Sequence, residues 1–282
     1  MRIGVFILSS VVTGEGMVID FHVHCFPDIL AAKAIPLLSE SSGIAPCTDG
    51  TISGLKQSMK RAGISCSVIQ SIATKPGQTQ SANNWAASVQ GNGILAFGTI
   101  HPQLEQWEEE ADRIKSLGLR GVKFHPDYQD FFVDAAAMMP VYEKLAKLDL
   151  IILFHAGVDV GLPAPYHCTP DRLARVVEAL PGARLVAAHM GGYRYWDEVE
   201  RYLVGRDLFF DTSYALGHIN PKQFFRILDN HGAHRCLFGS DTPWADQAKE
   251  IEKIAEIDLK PGVRYAVLEG NARKLLHLEN EP

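Results

Sequence analysis

Eight short apolar, β-rich runs separated by helical patterns, in a chain of 282 residues, predict an α/β protein built as a single (β/α)8 TIM barrel. Two further observations agree. The length is close to the ~250 residues typical of one such barrel. The runs are also continuously apolar, not alternating, which suits a parallel sheet covered on both faces.

Taken in order, the expected strands are Val18–Val23, Cys66–Ile72, Ile94–Ile100, Leu119–Phe124, Leu150–Phe154, Arg184–Ala188, Leu208–Asp211 and Arg235–Phe238. The segments between them carry helix signals. Leu104, Trp107, Ala111 and Ile114 recur at helical spacing while Glu105, Glu108, Glu109 and Lys115 take the outer side. Thr169-Pro170 and Asn220-Pro221 each read as an N-cap followed by proline at the first helical position. Pro181-Gly182 stops one helix, and Pro261-Gly262 separates the last two. The stretch from Cys25 to Gly50 is the longest without a regular pattern, and is expected as an irregular cap over the barrel mouth. A doubly wound open sheet is the strongest competitor. No G-x-G-x-x-G or G-x-x-x-x-G-K-[ST] follows any expected strand, so a nucleotide site has no support.

One domain, residues 17–282, accounts for the pattern. Residues 1–16 contain a short apolar run broken by Ser9-Ser10, and no small-residue cleavage site follows. Met17 therefore reads as the natural start and the first sixteen residues as an extension, with a hairpin closing the barrel floor as the alternative. The chain is 46% hydrophobic and 21% charged with a net charge of −6, and has neither a basic run for nucleic acid nor an apolar segment long enough to span a membrane. Five scattered cysteines without a C-x-x-C pair fit a reduced, cytoplasmic protein. Whether it forms a homo-oligomer stays open.

The chemistry clusters on one rim. Two histidines at i, i+2, His22 and His24, end the first strand, so both imidazoles project together with Asp20 behind them. His101 ends the third strand, Lys123 and His125 the fourth, His155 the fifth, His189 the sixth, and Asp241 follows the eighth. Six of eleven histidines thus fall at the C-terminal ends of strands, where TIM barrels carry their active sites. Imidazoles with a carboxylate suit Zn²⁺ or a similar borderline metal.

With these motifs the sequence resembles the amidohydrolase superfamily. Asp20-x-His22-x-His24, single histidines on strands five and six, and the terminal aspartate carry the likeness. Gly121-Val122-Lys123-Phe124-His125-Pro126, Phe238-Gly239-Ser240-Asp241-x-Pro243 and Gly270-Asn271-Ala272-Arg273 are similar to its "amidohydrolase 2" branch, which holds metal-dependent hydrolases and relatives of aminocarboxymuconate-semialdehyde decarboxylase. The resemblance covers roughly Met17 to Leu278. It implies one divalent metal, most often zinc, held by His22, His24, His155 and Asp241. It further implies that Asp241 moves the proton of a metal-activated water, and that His189 orients the water and polarises the scissile carbonyl. Lys123 is expected as a buried ion-pairing or hydrogen-bonding lysine, the other reading being a carboxylated bridge between two metals.

His101, His125, Arg194 and Trp244 are candidate substrate contacts; each has an equally good role as a loop, surface or packing residue. The expected function is hydrolysis of a C–O or C–N bond in a small-molecule lactone, ester or amide. Its alternative is non-oxidative decarboxylation of a small unsaturated or aromatic acid. A catalytically inactive scaffold is the reading from another class, and the intact ligand set speaks against it.

Overall fold

The computed structural model describes residues 16–278. The expected N-terminal extension therefore lies outside the described residues, apart from Gly16. Every expected strand is present, most trimmed by a few residues: β1 (Ile19–Val23), β2 (Cys66–Gln70), β3 (Ile94–Thr99), β4 (Gly121–Phe124), β5 (Ile151–Phe154), β6 (Leu185–Ala187), β7 (Phe209–Asp211) and β8 (Cys236–Leu237). They pair in chain order and all in parallel. The ring is completed just past β8. Phe21 N–H donates to the Phe238 carbonyl at 2.8 Å, Asp241 N–H to the His22 carbonyl at 2.8 Å, and Val23 bridges to Thr242. The chain is a TIM barrel.

The helices alternate with the strands: α1 (Asp28–Ser42), α2 (Ile52–Ala62), α3 (Thr79–Ser88), α4 (Trp107–Ser116), α5 (Met139–Lys147), α6 (Pro170–Ala179), α7 (Trp196–Tyr202), α8 (Pro221–His231) and α9 (Gln247–Glu256). A short α10 (Pro261–Tyr265), a π-helical turn (Ala266–Gly270) and α11 (Asn271–Leu275) close the chain. Asn220 caps α8 as expected, its side chain accepting from Lys222 N–H at 2.9 Å. Thr169 stands before α6, but its hydroxyl donates to Asp171 at 2.6 Å instead of capping.

The region expected to be irregular, Cys25 to Gly50, is largely the 15-residue α1. Its periodicity is weak because it buries only Ala31 and Ile35, carries Pro36 within, and exposes Ile29, Leu30 and Leu37. A helix with so narrow a buried stripe leaves almost no 3.6-residue signal in sequence.

Alternate residues of the strands go to two apolar layers. Ile19, Phe21, Val68, Phe97, Ile151 and Leu153 fill the barrel, where Leu275 and Leu276 of the C-terminal segment join them. Ile69, Val122, Ile152 and Phe154 face the helices and pack with Ile114, Leu173 and Val177.

Asp20 departs from its expected place behind the histidines. The β1–β2 register slips between Asp20 and Val23, and irregularities of that kind re-aim side chains. The Asp20 carboxylate turns to the seam, accepting from Ser240 N–H (2.9 Å), Ser240 Oγ (2.6 Å), Gln247 Nε2 of α9 (2.7 Å) and His22 N–H (3.2 Å). It is fully buried, and burial pushes its pKa up to about 6 against the pull of those donors. Asp20→Ala would orphan several buried donors at once, so a loss of about 3 kcal/mol or more is expected in urea denaturation at pH 8, with a smaller loss for Asp20→Asn.

Candidate metal centre

Three of the expected ligands converge. His22 Nε2 lies 3.3 Å from His24 Nε2 and 3.5 Å from an Asp241 carboxylate oxygen, which is 3.2 Å from His24 Nε2. An ion about 2.1 Å from each atom of a tetrahedral shell sets neighbouring ligand atoms about 3.4 Å apart. The far side of each ring is pinned. His22 Nδ1 donates to Asp211 at 2.8 Å and His24 Nδ1 to the Gln70 carbonyl at 3.2 Å. Neutral rings held this way turn both Nε2 lone pairs toward Asp241, an arrangement that fits a cation among them.

Backbone conformation supports the placement. Asp241 sits at φ +74° and His189 at φ +60°, left-handed conformations that non-glycine residues seldom adopt outside constrained sites. Gly239 leaves room for His22, since a Cβ there would stand 2.9 Å from the His22 Cβ.

His155 does not join the three. Its ring stacks on His125, with centroids 4.0 Å apart and planes at 11°, and its Nδ1 faces His189 Nε2 at 3.0 Å. His189 Nδ1 donates to the Ser213 carbonyl at 2.8 Å, so His189 Nε2 is the acceptor and His155 Nδ1 carries the proton. That leaves His155 Nε2 a bare lone pair, buried and without a hydrogen-bond partner among the described residues. An orphaned, buried imidazole nitrogen beside such a triad fits a metal ligand.

Ligand-type atoms of His125, His155 and Asp159 also lie within 4.8 Å of one another. Tautomer chemistry argues against a second ion there. His125 Nδ1 accepts from Tyr128 N–H at 3.3 Å, so its proton sits on Nε2 and goes to Asp159 at 3.1 Å. His125 is a donor in this arrangement, not a ligand.

The remaining candidates separate. Lys123 is fully buried, its Nζ 3.3 Å from His22 Nε2, and burial lowers its pKa to about 8 against the attraction of Asp211 and Asp241. His101 spends its ring on loop backbone, accepting from Gln103 N–H at 3.2 Å and bonding to Thr74. Arg194 is exposed, its guanidinium 5.3 Å from the centre of the Tyr193 ring. Trp244 is half-buried just beyond Asp241. Tyr193, Tyr214 and His218 form an aromatic row next to His189, Tyr214 and His218 stacked at 4.8 Å.

Sequence reasoning missed Asp211, Ser213 and Asp159. Asp211 had the better signal, an acidic residue closing an apolar strand on the functional rim. It takes His22 Nδ1 on one oxygen and the N–H groups of His189 and Ser213, both at 3.0 Å, on the other.

Burial, with Lys123 adding to it, holds His22 neutral far below the usual imidazole range. Burial likewise depresses His125 and His155. Asp241 is held below the usual carboxylate range: burial opposes ionisation, but the imidazoles of His24, His189 and His22, in so far as they carry a proton toward it, outweigh that.

An eight-stranded barrel with histidines and an aspartate gathered at its C-terminal rim has the architecture of a metal-dependent barrel enzyme. Within that class, the chain belongs to the amidohydrolase family, whose model matches residues 19–278. Solved structures share the fold at low identity. An uncharacterized TIM-barrel protein from Bordetella bronchiseptica is 19% identical with a TM-score of 0.75, covering 93% of this chain and 98% of its own. The 5-carboxyvanillate decarboxylase of Novosphingobium aromaticivorans, complexed with manganese and 4-hydroxy-3-methoxy-5-nitrobenzoic acid, is 14% identical at 0.71 and covers 93% and 96%. A Pseudomonas putida protein provisionally assigned as a 2-pyrone-4,6-dicarboxylic acid hydrolase is 20% identical at 0.67 and covers 94% and 99%. No curated protein matches the chain significantly. Among the described residues no helix is long and apolar enough to cross a membrane, and none of the five cysteines is in a disulfide.

The depressed histidines set a pH dependence. A base whose folded pKa lies below its unfolded value near 6.5 contributes stability that is present above 6.5 and lost as pH falls toward the folded value. His22, His125, His155 and His231 (lowered to about 4) all act in this sense. Asp20 and Glu250, raised to about 6 and about 7, act in the opposite sense but are fewer. The urea midpoint of the metal-free protein is therefore expected to fall between pH 6.5 and 5; a flat or rising midpoint would contradict the neutral-histidine assignment.

Proposed function

We propose that the protein is a metal-dependent hydrolase that cleaves a C–O or C–N bond of a small-molecule lactone, ester or amide. In this reading one divalent ion, zinc by the softness of its ligands, is held by His22, His24, Asp241 and the otherwise partnerless His155 Nε2. The convergence of His22, His24 and Asp241 at 3.2–3.5 Å carries the reading. The ion would supply Lewis acidity, activating water and polarising the bond to be cleaved. The side chains divide the remaining work. Asp241 stays ionised through the neutral range, so it can take a proton from the attacking water and return it to the leaving group. His189, its tautomer fixed by the Ser213 carbonyl, accepts the His155 Nδ1 proton on Nε2; in this reading it exchanges that contact for the attacking water and orients the nucleophile. Lys123 offsets the charge of Asp211 and Asp241 and is placed to meet an anionic substrate group. The unbridged cysteines suit a cytoplasmic setting, and neither a nucleic-acid nor a membrane partner belongs to this reading.

Decarboxylation of a small unsaturated or aromatic acid is the second reading, favoured by the Tyr193–Tyr214–His218 row as a surface for a flat ring and by likeness to the decarboxylase above. Zinc- and manganese-loaded protein assayed against lactones, amides and aromatic hydroxy acids separates the two: hydrolysis releases acid without carbon dioxide, decarboxylation releases carbon dioxide.

A contrast of variants tests the residue roles. His189→Ala should retain its metal while kcat falls on the order of 10²–10⁴-fold. His155→Ala should lose metal and activity together. Metal analysis of the purified variants decides, and a His189→Ala protein that sheds its ion as readily as His155→Ala would make His189 a ligand.

A further inference from the structure

His155 differs from the other two imidazoles of the proposed site. His22 and His24 are oriented by fixed acceptors behind them, a carboxylate and a backbone carbonyl. Behind His155 stands only another ring, His189. The plane of His155 is set by its face, which lies flat on His125 at 4.0 Å. His125 is itself clamped on every polar atom that could turn it. Its backbone N–H donates to Gln129 Oε1 at 2.9 Å, its Nδ1 accepts from Tyr128 N–H, and its Nε2–H donates to Asp159. Gln129 is tied in turn to the Ala73 and Ile100 carbonyls, at the rim ends of β2 and β3. Asp159 is tied on its other oxygen by Gly161 N–H at 2.8 Å.

We propose that Asp159 and His125 are positioning residues for His155: the carboxylate holds the His125 ring, and the stacked ring fixes the plane in which the His155 Nε2 lone pair points. This rests on the reading of His155 as a metal ligand. Neither residue touches the ion; both act through the orientation of one that does, and partners of that kind are typically worth 10–100-fold in metal affinity. The pair also places the loop after β5, which carries Asp159 and Gly161, in mechanical series with the metal centre. A bare loop contact would need neither the parallel stack nor a tautomer that aims the His125 proton at Asp159.

The test is zinc affinity by chelator competition, together with the visible absorption of the Co²⁺-substituted protein, on the full chain. Asp159→Ala and His125→Leu should each bind zinc roughly 10–100-fold more weakly and alter the Co²⁺ bands. Asp159→Asn, which keeps an oxygen to accept the His125 proton, should stay within roughly threefold of wild type. Thermal unfolding of the metal-free proteins controls for folding, and Asp159 lies on a rim loop that tolerates truncation better than the core. Wild-type affinity and spectrum in Asp159→Ala and His125→Leu overturn the proposal, as does an Asn variant as impaired as the Ala one. His155→Ala run alongside separates the two levels. If it keeps wild-type zinc affinity, the four-ligand reading fails and takes this inference with it. If it loses zinc while Asp159→Ala does not, only the positioning role fails.

Discussion

The barrel and its candidate metal centre depend on one buried carboxylate. Asp20 has no counter-cation among its hydrogen-bond partners. It is balanced by neutral donors from three parts of the chain: its own strand, the turn after β8, and α9. An ionised group so placed is tolerable only while its donors stay aligned, so the contact is geometrically exacting. It sits at the seam where the sheet meets itself, one residue from Phe21 and one donor from Asp241. Closing the barrel and bringing His22 to Asp241 are therefore one event. The seam hydrogen bond from Asp241 N–H to the His22 carbonyl joins the two residues through their backbones as well.

From the seam outward, each reactive group is aimed by a neighbour that does no chemistry. Asp211 serves His22, His189 and Ser213 at once, and Ser213 returns its carbonyl to His189. The result is a directed series of tautomers, with protons pointing away from the centre and lone pairs toward it. Lys123 is the buried cation among these groups, and its depressed pKa reflects the cost of keeping it there. Burial opposes the charging of His22 and His155, and the neutral form is the one a metal requires of an imidazole ligand.

Much of this was legible in the sequence, for identifiable reasons. The eight strands announce themselves because both faces are buried, and histidines at strand ends stand out against apolar runs. That His22, His24 and Asp241 share a rim follows from position, since parallel strands in a closed ring bring their C-terminal ends together; singling them out among the rim residues rested on the family resemblance. The place of Asp20 was not legible, because a register slip breaks the period of two on which the expectation rested. Helix α1 was not legible because it scarcely packs. Asp159 lay five residues past its strand in a loop, where no periodicity assigns direction. The neighbour of His155 was equally hidden: nothing in a list of residues reveals that two rings from adjacent strands lie face to face.

The thin attachment of α1 has its own consequence. A 15-residue helix held by two buried side chains has little apolar area to lose on detaching, so its local opening costs far less than unfolding the barrel. The barrel seam draws its stability from elsewhere. Detachment of α1 would leave the rim groups aligned, because the hydrogen bonds that hold His22, His24 and His189 run to Asp211, Gln70 and Ser213 and not to that helix.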